Sequence, residues 1–116
     1  MIYKQCDIVF IPIPFTNLLS SKKRPVLILS NNSYNQITDD IIVAAITSII
    51  DEKTYLVKIT KSDLAEGTLL FDSCIRADKL YTLSQSIVIK KFGSVKTEIL
   101  MSVIDKVHSV FTPLLK

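Results

Sequence analysis

The sequence predicts a mostly β (α+β) fold: a small, mostly antiparallel barrel covered by one C-terminal amphipathic helix. Short β-rich runs recur at close spacing between polar loops, and one apolar repeat of helical period follows the last of them. A doubly wound sheet would instead alternate strands with helices. With 116 residues and no repeat or linker, residues 1–116 are predicted to form a single domain.

The first two predicted strands flank a long loop. Residues 6–12 have strand character, and Pro12 and Pro14 are expected to end its pairing because proline has no N–H to donate. Residues 26–30 begin with four apolar residues and form the second predicted strand. The polar segment 31–36 is predicted to be a turn-rich connection.

A central strand and three further strands follow. Residues 41–48 are apolar on both faces until two final hydroxyl residues, which predicts a central strand whose end reaches the surface. Strand character returns at 55–59, at 69–82 and at 87–92. Between the first two of these, residues 61–67 are predicted to form a polar loop or short helical turn.

One amphipathic helix closes the chain. Gly93 is expected to end the last strand, Ser94 to cap the helix, and Pro113 to mark its end. The residues at helical spacing that should face the core are Ile99, Leu100, Val103, Ile104, Val107, Val110 and Phe111.

Composition limits the class of protein. Fourteen Lys and Arg against eleven Asp and Glu give a net charge of +3, which permits a polyanionic partner. The uncharged run 8–21 is too short and too broken by proline to cross a membrane. Cys6 and Cys74 are expected to be buried thiols of a cytoplasmic protein, without a disulfide. With a single histidine and no Cys-x-x-Cys motif, neither a metal site nor a cofactor is expected.

A cationic segment leads into the second strand. Lys22, Lys23 and Arg24 cannot be buried without partners, so they should lie at the rim of the core. Pro25 favours extended backbone at Arg24 and thereby holds the guanidinium at the strand entrance. Such an arginine suits phosphate recognition; a solvated basic turn is the alternative interpretation.

A second charged pair follows on a later strand. Arg76 and Asp78 should point to the same side, about 6.7 Å apart at ~3.3 Å per residue, and could share a substrate. A surface ion pair is the alternative. His108 lies late on the predicted helix, where favourable charge placement explains it better than catalysis. Without a nucleophile elbow or a phosphate-binding glycine loop, any chemistry must use Arg, Asp, Lys and hydroxyl groups.

These segments resemble the MazF/PemK family of toxins from bacterial toxin–antitoxin modules. The blocks, in order, are D-I-V at 7–9 with P-F-T at 14–16, K-R-P-V-L-I-L-S at 23–30, I-T-S at 46–48, S-C-I-R-A-D-K-L-Y-T-L at 73–83, and V-I-K-K-F-G at 88–93 before a helix. The resemblance covers almost the whole chain and implies an SH3-like barrel and a homodimer. It also implies a sequence-selective endoribonuclease that cleaves single-stranded RNA and is held inactive by a cognate antitoxin. DNA would be bound only through the antitoxin complex, and no membrane is involved.

Carried over by position, the resemblance implies that Arg24 and Thr47 form the catalytic pair. Arg76 and Asp78 add acid–base function, as in the PemK-like branch. Residues beside them are candidates for RNA binding: Lys22, Lys23, Ser48, Ser73 and Lys79.

The chain departs from the family pattern in three places. Cys6 stands where a glycine usually precedes the Asp-Ile pair, and Asn17 stands where an aspartate is frequent. We interpret both as structural exchanges. Residues 18–21 replace a more glycine-rich loop that borders the substrate groove in the family, so the resemblance does not indicate which RNA sequence is preferred.

The predicted reaction is metal-free attack of an RNA 2′-hydroxyl on its own phosphodiester, giving a 2′,3′-cyclic phosphate and a 5′-hydroxyl. Arg24 would stabilise the transition state with Thr47 as a supporting donor, and Asp78 would be the general base. Arg76 would either keep Asp78 ionised or face the leaving oxygen. Two alternatives are a toxin that acts by protein binding, as the related gyrase poisons do, and a non-catalytic nucleic-acid-binding module.

Overall fold

A computed structural model describes residues 3–13, 22–50 and 55–114, which form a curled antiparallel sheet and two helices. The strands are β1 (Asp7–Ile13), β2 (Lys22–Ile28), β3 (Asp40–Thr47), β4 (Leu56–Ile59), β5 (Leu64–Glu66), β6 (Ser73–Ser84) and β7 (Lys90–Val95). The helices are α1 (Asn32–Ile37) and α2 (Thr97–Phe111), and 3₁₀ turns lie at Lys61–Asp63 and Gln85–Ile87. The predicted fold class is confirmed.

The strand order is β4-β6-β3-β2-β1-β7-β5, and every neighbouring pair is antiparallel. Strands β1 to β3 therefore pair in sequence order, and β6 joins them to β4. This order puts β2, β3 and β6 side by side in the interior of the sheet. In the parts of the chain that the structure describes, neither helix is long and apolar enough to span a lipid bilayer.

Alternate side chains of a strand point to opposite faces. On the central strands, side chains on both faces are buried. On β2, Leu27 belongs to the cluster under α2, whereas Val26 and Ile28 belong to a second cluster on the opposite face. Helix α2 buries Leu100 and Val103, and Val103 belongs to the first cluster. Its predicted apolar stripe does not stay in the core to its end, since Phe111 is 70% exposed.

The predicted junction between the last strand and α2 is wrong in two respects. Gly93 does not end β7, since it pairs with Ile8, and Ser94 is a buried strand residue rather than the helix cap. A Cβ atom on Gly93 would lie 2.5 Å from the carbonyl oxygen of Glu66. Glycine is therefore required here because β5 and β7 approach closely, and α2 begins two residues later than expected.

The polar segment predicted as a connection contains helix α1. The Asn31 side chain accepts a hydrogen bond from the Tyr34 N–H (2.8 Å) and caps the helix. Asn35 is 1% exposed, and its amide donates to the carbonyls of Ser30 (3.1 Å) and Tyr3 (3.3 Å). The helix is thus anchored by buried polar contacts rather than by an apolar face, which is why its sequence shows no helical period.

The prediction that Pro12 ends the pairing of β1 is also wrong. Pro12 pairs with Lys23, and Ile13 pairs with Lys22. On its other edge, β1 pairs with β7 only as far as Phe10. Pro12 therefore lies beyond that ladder, where no N–H is needed.

Cys6 adopts a left-handed backbone conformation, with φ +79°. Its N–H donates to the carbonyl of Ile28 (3.1 Å), and its own carbonyl accepts from the N–H of Val95 (3.0 Å), so the conformation is fixed on both sides. Cys74 is buried as predicted, but Cys6 is only half-buried, and both thiols are free. Burial, with the neighbouring Asp7 charge, raises the pKa of the Cys6 thiol. A non-glycine residue in this conformation is strained, which accounts for the glycine expected here.

Cys6→Gly is expected to have a free energy of unfolding about 1 kcal/mol higher than Cys6→Ala. Both variants lose the thiol, but only glycine relieves the steric strain of the left-handed backbone. Urea unfolding of the two variants measures the difference. Equal midpoints and slopes would contradict the assignment of strain to this position.

Candidate active site

Three of the predicted catalytic residues line one groove of about 310 Å³. Arg24, Thr47 and Arg76 come from β2, β3 and β6, which are neighbours in the sheet. Cross-strand partners point to the same face. Ala45 of β3 pairs with Arg76 of β6 on one side, and on the other side it pairs with Val26, which lies two residues after Arg24 on β2. The complete lining is Arg24, Pro25, Ala45, Ile46, Thr47, Ile49, Arg76, Lys79 and Tyr81.

A β-bulge shapes the β6 side of this groove. Ala44 pairs with Leu80, but the next residue, Ala45, pairs with Arg76. Between these two pairs, the position changes by one residue on β3 and by four residues on β6 (80 − 76). Residues 77–79 are therefore extra on β6. The Ala77 N–H bonds instead to the carbonyl of Tyr55 (3.0 Å). Bulges of this kind redirect side chains and are frequent beside active sites.

Arg76 and Asp78 point to the same side, as their spacing predicts, and they form the ion pair that was the alternative interpretation. The Nε atom of Arg76 donates to Oδ1 of Asp78 (3.1 Å), and its terminal nitrogen donates to Oδ2 (2.8 Å). The hydrogen bond to Asp78 raises the pKa of the Arg76 guanidinium above its ordinary value. Asp78 is not among the lining residues, but its ion pair holds it beside Arg76, which is one of them.

Thr47 lies at the end of β3 with its hydroxyl in a defined orientation. Its Oγ1 accepts a hydrogen bond from the Ile49 N–H (3.2 Å). A hydroxyl that accepts one bond still carries a proton to donate. Because Thr47 lines the groove, this proton is available to a group bound there, and the adjacent Ser48 is exposed.

The other predicted RNA-binding residues are placed differently from one another. Lys79 lines the groove, and Lys22 and Lys23 are exposed on β2 beside Arg24. Ser73 is 8% exposed and its hydroxyl donates to the carbonyl of Phe71 (3.2 Å), so it does not face the groove. Asn17 and the 18–21 loop lie outside the described residues.

Sequence reasoning did not identify Tyr81 and Ile49 as site residues. Tyr81 is five residues from Arg76, and an odd separation on a regular strand predicts opposite faces. The three-residue bulge reverses this, because Tyr81 pairs with Val43 while Arg76 pairs with Ala45. Ile49 follows the end of β3, and no pattern marks it as a groove residue.

Two further findings concern His108 and metal binding. His108 lies in the last turn of α2, where it is exposed, as its helical position predicts. Across residues 3–13, 22–50 and 55–114, no group of three or more His, Cys, Asp or Glu side chains is arranged to hold a metal ion.

Comparison with solved structures finds the same fold. MazF from Deinococcus radiodurans has a TM-score of 0.75 at 20% identity, covering 95% of this chain and 96% of its own. The Mycobacterium tuberculosis toxin MazF-mt6 has a TM-score of 0.73 at 19% identity, with 90% and 95% covered. An endoribonuclease solved with its cognate antitoxin from a mycobacterial species has a TM-score of 0.72 at 18% identity, with 97% of each chain covered.

A search of curated proteins finds no significant match. Comparison with protein families is more specific. The profile of a family described as "PemK-like, MazF-like toxin of type II toxin-antitoxin system" matches residues 4–111. Since this match spans nearly the whole chain, the protein belongs to the PemK-like, MazF-like toxin family of type II toxin–antitoxin systems.

Proposed function

We propose that this chain is a metal-independent, sequence-selective endoribonuclease that cleaves single-stranded RNA as the toxin of its module. The observation that supports this proposal most is the convergence of Arg24, Thr47 and Arg76 on one groove from three adjacent strands. Two guanidinium groups and an oriented hydroxyl match the charge and the acceptors of a phosphodiester.

In the proposed reaction, the 2′-hydroxyl oxygen attacks the adjacent phosphorus, and the bond from phosphorus to the 5′-oxygen breaks. The departing 5′-oxygen takes up a proton from water, so the products are a 2′,3′-cyclic phosphate and a 5′-hydroxyl. Negative charge develops on the non-bridging oxygens, where donors fixed in advance lower the barrier most. Arg24 and the Thr47 hydroxyl take this role, because both line the groove from interior strands.

Asp78 is proposed as the general base that removes the proton of the 2′-hydroxyl. Its ion pair with Arg76 keeps the carboxylate ionised and fixes its orientation. The raised pKa of Arg76 makes this guanidinium a poor proton donor, which supports a role in charge stabilisation and in holding Asp78.

The partners and location follow from the same proposal. A cognate antitoxin would bind the toxin and block its activity, and DNA would be bound only through that complex. The solved MazE–MazF complex of Deinococcus radiodurans and the mycobacterial endoribonuclease–antitoxin complex support an antitoxin partner. RNA cleavage would take place in the cytoplasm.

A homodimer is expected because several large apolar side chains are mostly exposed in the single chain: Ile37, Leu70, Phe71, Phe111 and Leu114. A shared interface would remove part of this surface from water. Sedimentation at micromolar concentration should give twice the 13.0 kDa chain mass. A mass of one chain that does not change with concentration would contradict the dimer.

Cleavage of single-stranded RNA should persist in excess EDTA and leave cyclic phosphate ends, because the groove supplies its own cations. Incubation of purified protein with a long RNA, followed by mapping of the 5′-hydroxyl ends, tests this. Loss of activity in EDTA that Mg²⁺ restores would contradict the mechanism. RNA binding without cleavage would indicate a nucleic-acid-binding module, and no interaction with RNA would indicate a toxin that acts by protein binding.

A further inference from the structure

The groove carries an apolar wall beside its cations. Ile49 and Tyr81 line it together with Arg24 and Arg76. Ile49 is 71% exposed, so a large apolar side chain is open to water inside a cationic groove. A phosphate site alone requires no such surface. A ligand with a charged part and a flat apolar part, such as a nucleotide, would use both.

Tyr81 is held rigidly at this wall. Its cross-strand partner is Val43, and an aromatic ring opposite a β-branched residue is a stabilising pair. The half-buried ring also packs against the core cluster that contains Val26 and Ile28. The remaining surface of Tyr81 faces the groove, so little conformational freedom is lost when a ligand contacts it.

Tyr81 also lies close to the phosphate-binding end of the groove. Tyr81 lines the same groove as Arg76 and lies on the same strand, β6. Both residues extend from β6 toward the same face, on either side of the bulge. An aromatic surface next to a guanidinium matches the arrangement of base and phosphate within one nucleotide.

We propose that Tyr81, with Ile49 beside it, forms a subsite that stacks the nucleobase next to the phosphate held by Arg24 and Arg76. This inference rests on the proposed endoribonuclease function, because it takes single-stranded RNA as the ligand. Base stacking on an aromatic side chain adds affinity with little selectivity, since every base has a π face. The subsite therefore adds affinity for the base next to the bound phosphate, whichever base that is.

Binding of a short RNA with 2′-fluoro riboses tests the subsite without cleavage, because the nucleophile is absent. One abasic position at a time is introduced, and affinity is measured by fluorescence anisotropy with wild type, Tyr81→Phe and Tyr81→Leu. At one position, loss of the base should weaken binding to wild type and to Tyr81→Phe by about 5–150-fold. Tyr81→Leu should bind the intact and abasic RNAs equally well.

A fluorescence measurement covers the case in which Tyr81→Leu does not fold. The chain has no tryptophan, so Tyr81→Trp introduces a single reporter that can still stack. Its emission should be quenched by the intact RNA and not by the RNA that is abasic at the sensitive position. Phe111→Trp, on the exposed end of α2, is the matched control and should respond to neither RNA.

The outcomes separate the subsite from the proposed function. If Tyr81→Leu keeps the abasic sensitivity of wild type, or if Tyr81→Trp responds equally to both RNAs, the subsite is wrong even if wild type cleaves RNA. If the base dependence is found but unmodified RNA is never cleaved, the subsite stands and the nuclease proposal fails. Absence of RNA binding by wild type would overturn both.

Discussion

Arg24→Ala is expected to lower kcat for RNA cleavage by about 10²–10³, with a smaller loss of substrate binding. Arg24 lines the groove from β2, and Pro25 and the paired strand hold its backbone before substrate arrives. Removing one donor fixed in this way affects the transition state more than the ground state. Single-turnover cleavage under saturating enzyme separates the rate of the chemical step from binding.

Lys61→Ala is the matched control for this variant. It removes the same unit charge from an exposed residue that does not line the groove, so it reports the effect of net charge alone. The ratio of the wild-type rate to the Arg24→Ala rate should be constant from pH 5 to 9, because a guanidinium stays charged throughout this range. Equal rates for wild type and a folded Arg24→Ala variant would remove Arg24 from the mechanism.

Asp78→Asn is expected to lower kcat by about 10²–10⁴, as for loss of a general base, and to flatten the acidic limb of the pH–rate profile. The exchange is nearly isosteric, and the ion pair that it weakens is exposed at both ends. Stability should therefore fall by no more than about 1 kcal/mol. Rates measured from about pH 3 to 9, with circular dichroism to check folding at each pH, give the profile, because an aspartate titrates at about pH 4. Asp105→Asn makes the same chemical change on the exposed surface of α2 and should match wild type.

The pH dependence distinguishes a base from a residue that only positions Arg76. The Arg76 pKa is raised above its ordinary value, so Arg76 cannot titrate between about pH 3 and 9 and cannot produce an acidic limb there. If Asp78→Asn is slow but keeps the wild-type acidic limb, Asp78 acts through Arg76 and the base is another group. If Asp78→Asn has the wild-type rate, the contact is the surface ion pair considered above.

The sequence was sufficient to predict the elements that depend on apolar patterning. The four-residue apolar run in β2 and the helical repeat of α2 gave the sheet and its covering helix, because burial dominates their formation. Convergence of Arg24, Thr47 and Arg76 followed from the family resemblance rather than from spacing. Pattern could not have brought these residues together, since they lie on three strands that are far apart in the chain.

The errors have a common physical cause. Each involves a contact or a change of register of the backbone that the apolar pattern of the sequence does not encode. Gly93 was interpreted as a strand breaker, although its role is close packing against Glu66. Helix α1 depends on the buried amide of Asn35 rather than on an apolar face. The bulge at 77–79 reverses which side chains share a face. Simple alternation along β6 therefore predicts the wrong face for Tyr81 relative to Arg76.

A single 2′-deoxy substitution at a mapped cleavage position tests the central claim most directly. The RNA is otherwise unmodified, so the groove still meets the same phosphates and bases. If the 2′-hydroxyl is the nucleophile, cleavage at that bond should stop while cleavage at other sites continues. Continued cleavage at the substituted bond, at a rate near that of the all-RNA strand, would contradict attack by the 2′-hydroxyl and the roles assigned to Arg24, Thr47 and Asp78.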